Sequence, residues 1–417
     1  MKPKQTLTQW LTFLEHLHPK GIDLGLERVA AVATKLSLLS LEAKVVTVAG
    51  TNGKGSTIAM LETGLSALGL SYGSYTSPHI HHFNERVRLN SLPVNDAQLI
   101  ENFEVIESAR GDISLSYFEY TTLAALLCFQ QMQPDVILLE VGLGGRLDAV
   151  NIIDADIAIV TSIALDHQDW LGDTLDEIAT EKLGIARASR PLLIGELNPC
   201  EGLLLGAPKT GADCYFINRD FHVQQTQSDL QLELADGELY HIESPNSLSP
   251  ESIVVAAQAL GLLGCALDTR VLNSMSASQL LGRFDIHTIA GKTLVFDVAH
   301  NPAAIARLCE RMRSTFTDKI INISIAVMAD KNVNEMLTSL GSVVSGQWFL
   351  PSLNMPRAMT AYDLSGKLSQ QLSVSSNEAD ILTAINTINS DEVLLICGSF
   401  YTVAAGMHSL QSEGLIQ

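Results

Sequence analysis

Gly50-Thr-Asn-Gly-Lys-Gly-Ser56 constrains this chain more than any other segment, because three glycines and a lysine stand between two strongly patterned runs. Lys44 to Ala49 reads as a buried strand, and helical spacing begins at Lys54 and runs to Leu68. A glycine-rich turn that leaves a strand and opens a helix turns backbone N–H groups and a helix N-terminus toward one point. Phosphate can be cradled there, and Lys54 can reach its charge. The run departs from the eight-residue P-loop pattern, since its first glycine falls two positions late and Gly55 stands where a hydroxyl residue should follow the lysine. The plainer alternative is a glycine turn with a surface lysine, but the polar and glycine positions joining strand to helix favour phosphate.

Similar alternation of short apolar runs and period-3.6 segments recurs along the chain, which is the pattern of a parallel sheet covered by helices. Val136 to Glu140 and Ile157 to Ser162 read as buried strands, and a short strand ends near Ser77-Pro78. Asp23 can cap a helix carrying Leu26, Val29, Ala30, Ala33 and Leu36 on one side, and Thr174-Leu-Asp-Glu177 is a capping box for a helix reaching about Ala188. From Cys214 to Ile242 the period drops to two, with Asp236-Gly237 as a hairpin turn, and a helix over Ile253 to Leu263 follows. A second strand-helix series comprises Thr293 to Val298, Lys319 to Val327, Gln347 to Leu350 and Val393 to Cys397, so a boundary is expected near residues 284 to 290. The 417 residues allow two or three domains at roughly 150 residues each. The expected fold is α/β: a P-loop-type doubly wound parallel sheet with a small β insertion over residues 1–285, then a smaller Rossmann-like α/β domain over 286–417.

Charge narrows the partners. Lys and Arg number 26 against 46 Asp and Glu, a net −20, which argues against a nucleic-acid surface or an anionic membrane. Any anionic ligand then needs a local cationic site. The longest apolar-looking stretch, Ile253 to Leu267, contains Gln258 and falls short of the roughly 18 residues that span a bilayer. Met1-Lys-Pro-Lys-Gln leads into the mixed Thr6 to His18 segment without an apolar leader core, so a cytoplasmic protein is expected. Cys128, Cys200, Cys214, Cys265, Cys309 and Cys397 form no C-x-x-C pair and read as buried, reduced thiols.

Several residues gather at the predicted sheet edge. Glu140 ends its strand where ligands of doubly wound folds bind, which suits a Mg²⁺ ligand as well as an ordinary solvated carboxylate. Asp166-His167-Gln-Asp169 follows the next strand and brings an imidazole and two carboxylates to the same edge. Gly142-Leu-Gly-Gly-Arg146 lacks the spacing of a dinucleotide fingerprint and reads as a tight turn. Glu181-Lys182 reads as a solvated pair, and Ser77-Pro-His79 as a chain turn. Asp297-Val-Ala-His-Asn-Pro302 leads from a strand into a helix, a place for ligand contacts or simply for an N-cap.

Together these segments resemble the bacterial folylpolyglutamate synthase family, in the bifunctional form that is also dihydrofolate synthase, within the Mur-ligase-like group. The resemblance spans nearly the whole chain. It rests on Ile22 to Arg28, Gly50 to Ser56, Ser77-Pro-His79, Ser108 to Ile113, Tyr117-Phe-Glu119, Glu140 to Ala149, Thr161 to Gly172, Gly282-Arg-Phe284, Phe296 to Pro302 and Cys397 to Phe400. It implies ATP phosphates on Gly53, Lys54, Gly55 and Ser56, with Arg283 and Asp297 also on the nucleotide. Magnesium, two ions, would be held by Ser77, Glu140, His167 and a carbamylated Lys182. Pterin contacts fall on Gly21, Ile22 and Asp23, on Ser116, Tyr117, Phe118 and Glu119, and on Leu147, Asp148 and Ala149. His300 and Ser399 would meet the incoming glutamate, and the catalytic set is Lys54, His167, Lys182, Asp297 and His300. One departure stands out: Ser252 occupies a position where relatives place an asparagine that meets the nucleotide.

The implied reaction is ATP-dependent amide formation, joining L-glutamate to dihydropteroate and to reduced folates through an acyl phosphate, in a cytoplasmic monomer without nucleic-acid or membrane partners. The implied C-terminal domain contributes to the glutamate and nucleotide cleft. Two other readings compete: a cell-wall Mur ligase, against which stands the phosphate loop's start at residue 50, and a nucleotide-binding switch without turnover.

Overall fold

The computed structural model describes residues 5–226, 229–244, 247–355 and 357–416. They divide into two compact units, Met1–Ser278 and Gln279–Gln417. The first unit opens with α1 (Leu7–Leu17) and α2 (Glu27–Lys35), then β1 (Lys44–Ala49) and α3 (Lys54–Leu68). Next come β2 (Tyr72–Tyr75), β3 (Val87–Leu89), β4 (Leu92–Pro93), α4 (Asp96–Arg110), α5 (Tyr117–Met132) and β5 (Val136–Glu140). They are followed by β6 (Ile157–Val160), α6 (Gln168–Leu171), α7 (Leu175–Leu183), β7 (Pro191–Ile194), α8 (Glu201–Gly206) and β8 (Asp213–Phe216).

These strands form one sheet in the order β4-β3-β2-β5-β1-β6-β7-β8, parallel from β2 to β8 and antiparallel at the β3 and β4 edge. β1 lies between β5 and β6, with Val48 opposite Glu140 and Ile159. The turns leaving these three neighbouring strands therefore open at one sheet edge, the usual place for a ligand in such a sheet. α3 packs against the sheet and against α9 (Pro250–Leu262) and α10 (Thr269–Ser276), which explains why it is apolar on nearly every side rather than amphipathic.

A three-stranded antiparallel sheet of β9 (His222–Gln225), β10 (Asp229–Glu233) and β11 (Leu239–Glu243) precedes α9. Gly237, at a φ of 87°, turns β10 into β11 as the Asp-Gly signal requires. The period-two region is not all insertion, however. Its first strand, β8, runs parallel to β7 and extends the main sheet.

Other local expectations are corrected. Asp23 caps no helix: α2 begins after Leu26 with no side-chain cap, and the Asp23 carboxylate is taken up by Arg28, Lys20 and His18. The Thr174–Glu177 capping box is present, but α7 stops at Leu183 rather than near Ala188, with Gly184 as its C-cap. The six cysteines are unpaired, and Cys200, Cys214 and Cys265 are only partly buried.

The second unit contains β12 (Asp285–Ile289), β13 (Lys292–Phe296), α11 (Pro302–Thr315), β14 (Ile321–Ile325) and α12 (Val333–Gly341). It continues with β15 (Trp348–Phe349), α13 (Ala361–Leu372), α14 (Ile381–Thr387), β16 (Val393–Cys397) and α15 (Phe400–Ser412). The strand order is β12-β13-β16-β14-β15, with only β12 antiparallel to its neighbour. Its core joins Ile321, Ile323, Ile325, Val393 and Leu395 to Leu308, Met312 and Leu337. Among the described residues no helix is long and apolar enough to cross a membrane.

Candidate active site

The Gly50 to Ser56 loop is fixed from behind by the chain that leaves β6. Thr51 N donates to Ser162 O at 2.8 Å, Asn52 N to Ser162 Oγ at 2.9 Å, and Thr161 Oγ1 to Asn52 O at 2.6 Å. Gly50 has a φ of 148°, and a Cβ there would lie 1.9 Å from Thr161 Oγ1, so both backbone angle and space demand glycine. Gly53 sits in the left-handed region at the N-cap of α3, and Lys54 folds back so that Nζ donates to Gly50 O at 2.9 Å and Thr51 O at 3.3 Å. Ser252 Oγ lies 3.9 Å from where a Cβ on Gly53 would sit. This serine thus borders the loop, and Ser249, the N-cap of α9, lies 3.1 Å from it, Oγ to Oγ.

Glu140 is buried at the end of β5, and Ser77 N donates to its Oε2 at 3.1 Å. Ser77 precedes a cis peptide to Pro78. His167 adopts a left-handed φ of 53° at the start of α6, where its N–H donates to Asp166 Oδ1 at 2.9 Å. Among the described residues no three His, Cys, Asp or Glu side chains group to hold a metal. A hard divalent cation at Glu140 therefore needs oxygen donors of other kinds, such as the Ser77 hydroxyl and phosphate, which fits the chemistry of Mg²⁺.

Lys182 departs most from the reading of its sequence. It is 4% exposed rather than solvated, and Glu181 pairs with Arg146 at 2.8 Å instead. Burial is the larger cause and the Lys54 charge the next in bringing its ammonium down to about 7, against the opposing pull of Asp166, Asp148 and Glu181. The glycine-rich turn after β5 packs against the backbone at this position. A Cβ on Gly145 would lie 2.7 Å from Glu181 O and 3.0 Å from Lys182 Cα, and Arg146 N donates to Glu181 O at 2.8 Å. Backbone atoms cannot yield as a side-chain end can. Gly145→Ala should therefore cost about 1–3 kcal/mol, as overpacking does. An earlier urea midpoint checks this, and an unchanged midpoint would contradict it.

Asp148, in the same turn, is enclosed. Its Oδ2 accepts from Leu143 N at 2.9 Å and Oδ1 from Val150 N at 3.0 Å, yet burial outweighs these donors and raises its carboxyl to about 6. Nearby, Phe118 packs against Gly142 and lies 5.6 Å from the Tyr75 ring. Ser116 caps α5, and Glu119 Oε2 accepts from Ser116 N at 2.7 Å. Arg28 joins that acid to Asp23, lying 3.2 Å from Glu119 Oε1 and 2.7 Å from Asp23 Oδ2. Lys20 chiefly, with Arg28 and His18, holds the Asp23 carboxyl below its usual range. Gly21 and Ile22 lie on the loop just before Asp23, and Leu147 and Ala149 flank Asp148.

In the second unit, Asp297 Oδ2 accepts from Phe284 N at 2.9 Å and Oδ1 from Ala299 N at 2.8 Å. Burial raises its carboxyl against the pull of Arg283, the two amides and Arg311. Arg283 stacks 5.0 Å from the Phe400 ring and His300 lies 5.9 Å from the same ring. Ser399 is the N-cap of α15, accepting from Thr402 N at 3.0 Å, so its hydroxyl is partly engaged by the fold. Sequence reasoning assigns no role to Thr161 and Ser162 behind the loop, to Arg28, to Arg311 stacked 3.9 Å from Phe284, or to Arg86 beside His79. Of these, Arg28 lies within the Ile22 to Arg28 motif and Thr161 and Ser162 within Thr161 to Gly172, whereas Arg311 and Arg86 lie in none of the motifs.

Residues 48–198 match the Mur ligase middle domain, and residues 282–400 match the Mur ligase glutamate ligase domain. The chain is 41% identical to the dihydrofolate synthase/folylpolyglutamate synthase of Escherichia coli K12 over 98% of its own length and 96% of the relative's. It superimposes on E. coli FolC in complex with DHPP and ADP with a TM-score of 0.93 at 39% identity, covering 98% of this chain and 99% of that one. A bifunctional folylpolyglutamate synthase/dihydrofolate synthase with Mn, AMPPNP and L-glutamate bound gives a TM-score of 0.88 at 37% identity, each chain covered in full. A Mur ligase middle domain on a doubly wound sheet, followed by a glutamate ligase domain, defines an ATP-dependent ligase of the Mur type. Within that class, the chain belongs to the dihydrofolate synthase/folylpolyglutamate synthase family.

Proposed function

We infer that this chain joins L-glutamate to dihydropteroate, giving dihydrofolate, and to reduced folates, giving folylpolyglutamates, through the residues gathered beyond β1, β5 and β6. One observation carries the assignment of residues: buried Lys182 feels Lys54, Asp166 and Asp148 together, so the phosphate loop, the acidic turn and the β6 loop share one electrostatic site. Gly53, Lys54, Gly55 and Ser56 take the ATP phosphates, and Arg283 and Asp297 take the rest of the nucleotide. Ser77, Glu140, His167 and a carbamylated Lys182 would hold Mg²⁺, as two ions, which when bound neutralises phosphate charge. Asp23, Ser116 to Glu119 and Leu147 to Ala149 line the pterin site, and His300 and Ser399 meet glutamate.

The residues then do the following. Lys54 and the loop amides draw charge from the γ-phosphate, so that the pterin carboxylate can approach a second anion. A carboxylate oxygen bonds to the γ-phosphorus as ADP leaves, and glutamate's amine adds to the acyl carbon and expels phosphate. Local cations make this possible on a chain of net charge −20. Six unpaired cysteines support a reducing, cytoplasmic setting.

ADP release should become fast only when L-glutamate and either dihydropteroate or a tetrahydrofolate monoglutamate are present together, with each pterin gaining a glutamate by mass spectrometry. ADP release that ignores glutamate, or activity with UDP-muramyl substrates instead, would overturn this reading. Failure of dihydropteroate alone would leave a monofunctional synthase.

A further inference from the structure

The loop between β2 and β3 carries an imidazole that neither the fold nor the residues assigned above employ. His79 follows Ser77 by two residues, and Arg86 Nε donates to its Nδ1 at 2.9 Å. A guanidinium has no acceptor and does not lose its proton, so Nδ1 must be accepting. A neutral ring held in this way is assigned its proton on Nε2. Among the described residues Nε2 has no hydrogen-bond partner, which leaves a half-buried donor unused.

The surroundings hold that donor still. Glu85 accepts from the amides of Ile80, His81 and His82 at 2.8, 2.9 and 2.6 Å, and Thr76 N donates to Arg86 O at 2.9 Å. The Arg86 guanidinium lies 5.6 Å from the Tyr117 ring and 5.8 Å from the Phe83 ring. One side chain thus ties His79 to Tyr117 of the pterin set, while Ser77 on the same loop donates to Glu140 of the metal set.

We propose that His79 is a further catalytic residue, whose Nε2–H donates to the reacting carboxyl group of the pterin substrate. The inference rests on the ligase reading above. The carboxylate attacks the γ-phosphorus and ADP departs. Glutamate's amine then adds to the acyl carbon, pushing the carbonyl electron pair onto oxygen, and that oxyanion re-forms the carbonyl as phosphate leaves and the nitrogen sheds its proton to solvent. His79 keeps its proton throughout. A neutral donor suits both steps: a cation would quench the carboxylate's nucleophilicity in the ground state, whereas an imidazole N–H strengthens its hydrogen bond as charge builds on the tetrahedral oxygen.

His79→Asn, His79→Ala and His79→Gln separate this role from a structural one. Asparagine can still accept from Arg86 but lacks the distal donor, whereas glutamine can place an N–H near the Nε2 position. We expect kcat for dihydropteroate ligation to fall about 100-fold in His79→Asn and His79→Ala, as loss of an oxyanion donor does. KM for ATP should stay within about twofold, because the nucleotide contacts are untouched, and the His79→Asn melting midpoint should match wild type. His79→Gln should recover at least about tenfold of the loss. Wild-type kcat in His79→Asn, a loss confined to KM for ATP, or His79→Gln no better than His79→Ala would each overturn the proposal. Absence of glutamate ligation by the wild-type protein in the same assay would instead remove the ligase reading itself.

Discussion

Lys54→Ala should abolish glutamate-dependent ADP release while leaving the fold intact. The side chain is half-buried, and its Nζ donates to two carbonyls of its own loop, Gly50 and Thr51, bonds that belong to no strand pairing. The chemistry loses far more. A positioned cation on a transferring phosphoryl group is worth on the order of 3 kcal/mol or more, so kcat should drop by at least about 100-fold. A second loss follows from the coupling to Lys182, since the Lys54 charge is the next cause after burial of that amine's lowered ionisation. Without it, the Lys182 ionisation should climb and the fraction of neutral amine at neutral pH should shrink. A coupled assay for ADP, with circular dichroism on the same sample, measures both sides of the claim. Wild-type turnover in a folded Lys54→Ala protein would reduce the loop to a structural turn.

The loop is legible in the sequence because its neighbours are continuous apolar runs with sharp ends. β1, α3, β5 and β16 begin and finish where the apolar runs or helical spacing from Lys44, Lys54, Val136 and Val393 do, since glycine, proline or a charge stops each of them. Several of the short elements are not legible. β3, β4 and β7 hold three, two and four residues, too few for any periodicity, and β12 is an antiparallel edge strand with alternate residues exposed. The pattern overextends α7 because Arg187 and Ala188 continue a helical spacing that Gly184 has already ended.

The site residues divide along the same line. Glu140 and His167 end or follow apolar strands, so topology alone brings them to the edge. The burial of Lys182 is invisible in the sequence. Within α7 it sits beside Glu181 and reads as half of a surface pair, whereas in the fold it is buried and the turn from Gly142 to Arg146, contributed by a distant stretch of chain, packs against its backbone. The Arg86 to His79 bond is hidden for a similar reason, because a loop's hydrogen bonds follow from its path rather than from spacing. Asp23 shows the converse, as a residue type suited to capping is drawn off by the Arg28 and Lys20 cations and the His18 imidazole.

Carbamylation of Lys182 is the prediction that depends most on this concealed burial. A neutral amine adds CO₂ and an ammonium does not, so the reaction needs a lysine that gives up its proton near physiological pH. With an ionisation near 7, Lys182 is about nine-tenths neutral at pH 8 and about one-tenth at pH 6, so CO₂-depleted enzyme should regain activity on adding bicarbonate far more completely at pH 8. Lys182→Ala should lose turnover and recover part of it in acetate, which can place a carboxylate in the vacated space. Activity retained in Lys182→Arg, with no acetate response in Lys182→Ala, would remove the carbamate from the mechanism. The lowered ionisation also fixes a sign for stability. Between pH 7 and the ordinary value of 10.5 the unfolded chain binds a proton that the folded chain does not, so stability rises with pH across that window and the cost is complete below it. Lys182→Met removes the cost. Measured without CO₂, that variant should be more stable than wild type at pH 7 by several kcal/mol, because each tenfold weakening of proton binding on folding costs about 1.4 kcal/mol, with the gap closing toward pH 10. A gap that does not depend on pH would mean the amine is not the strained group, and the case for its carbamate would fall with it.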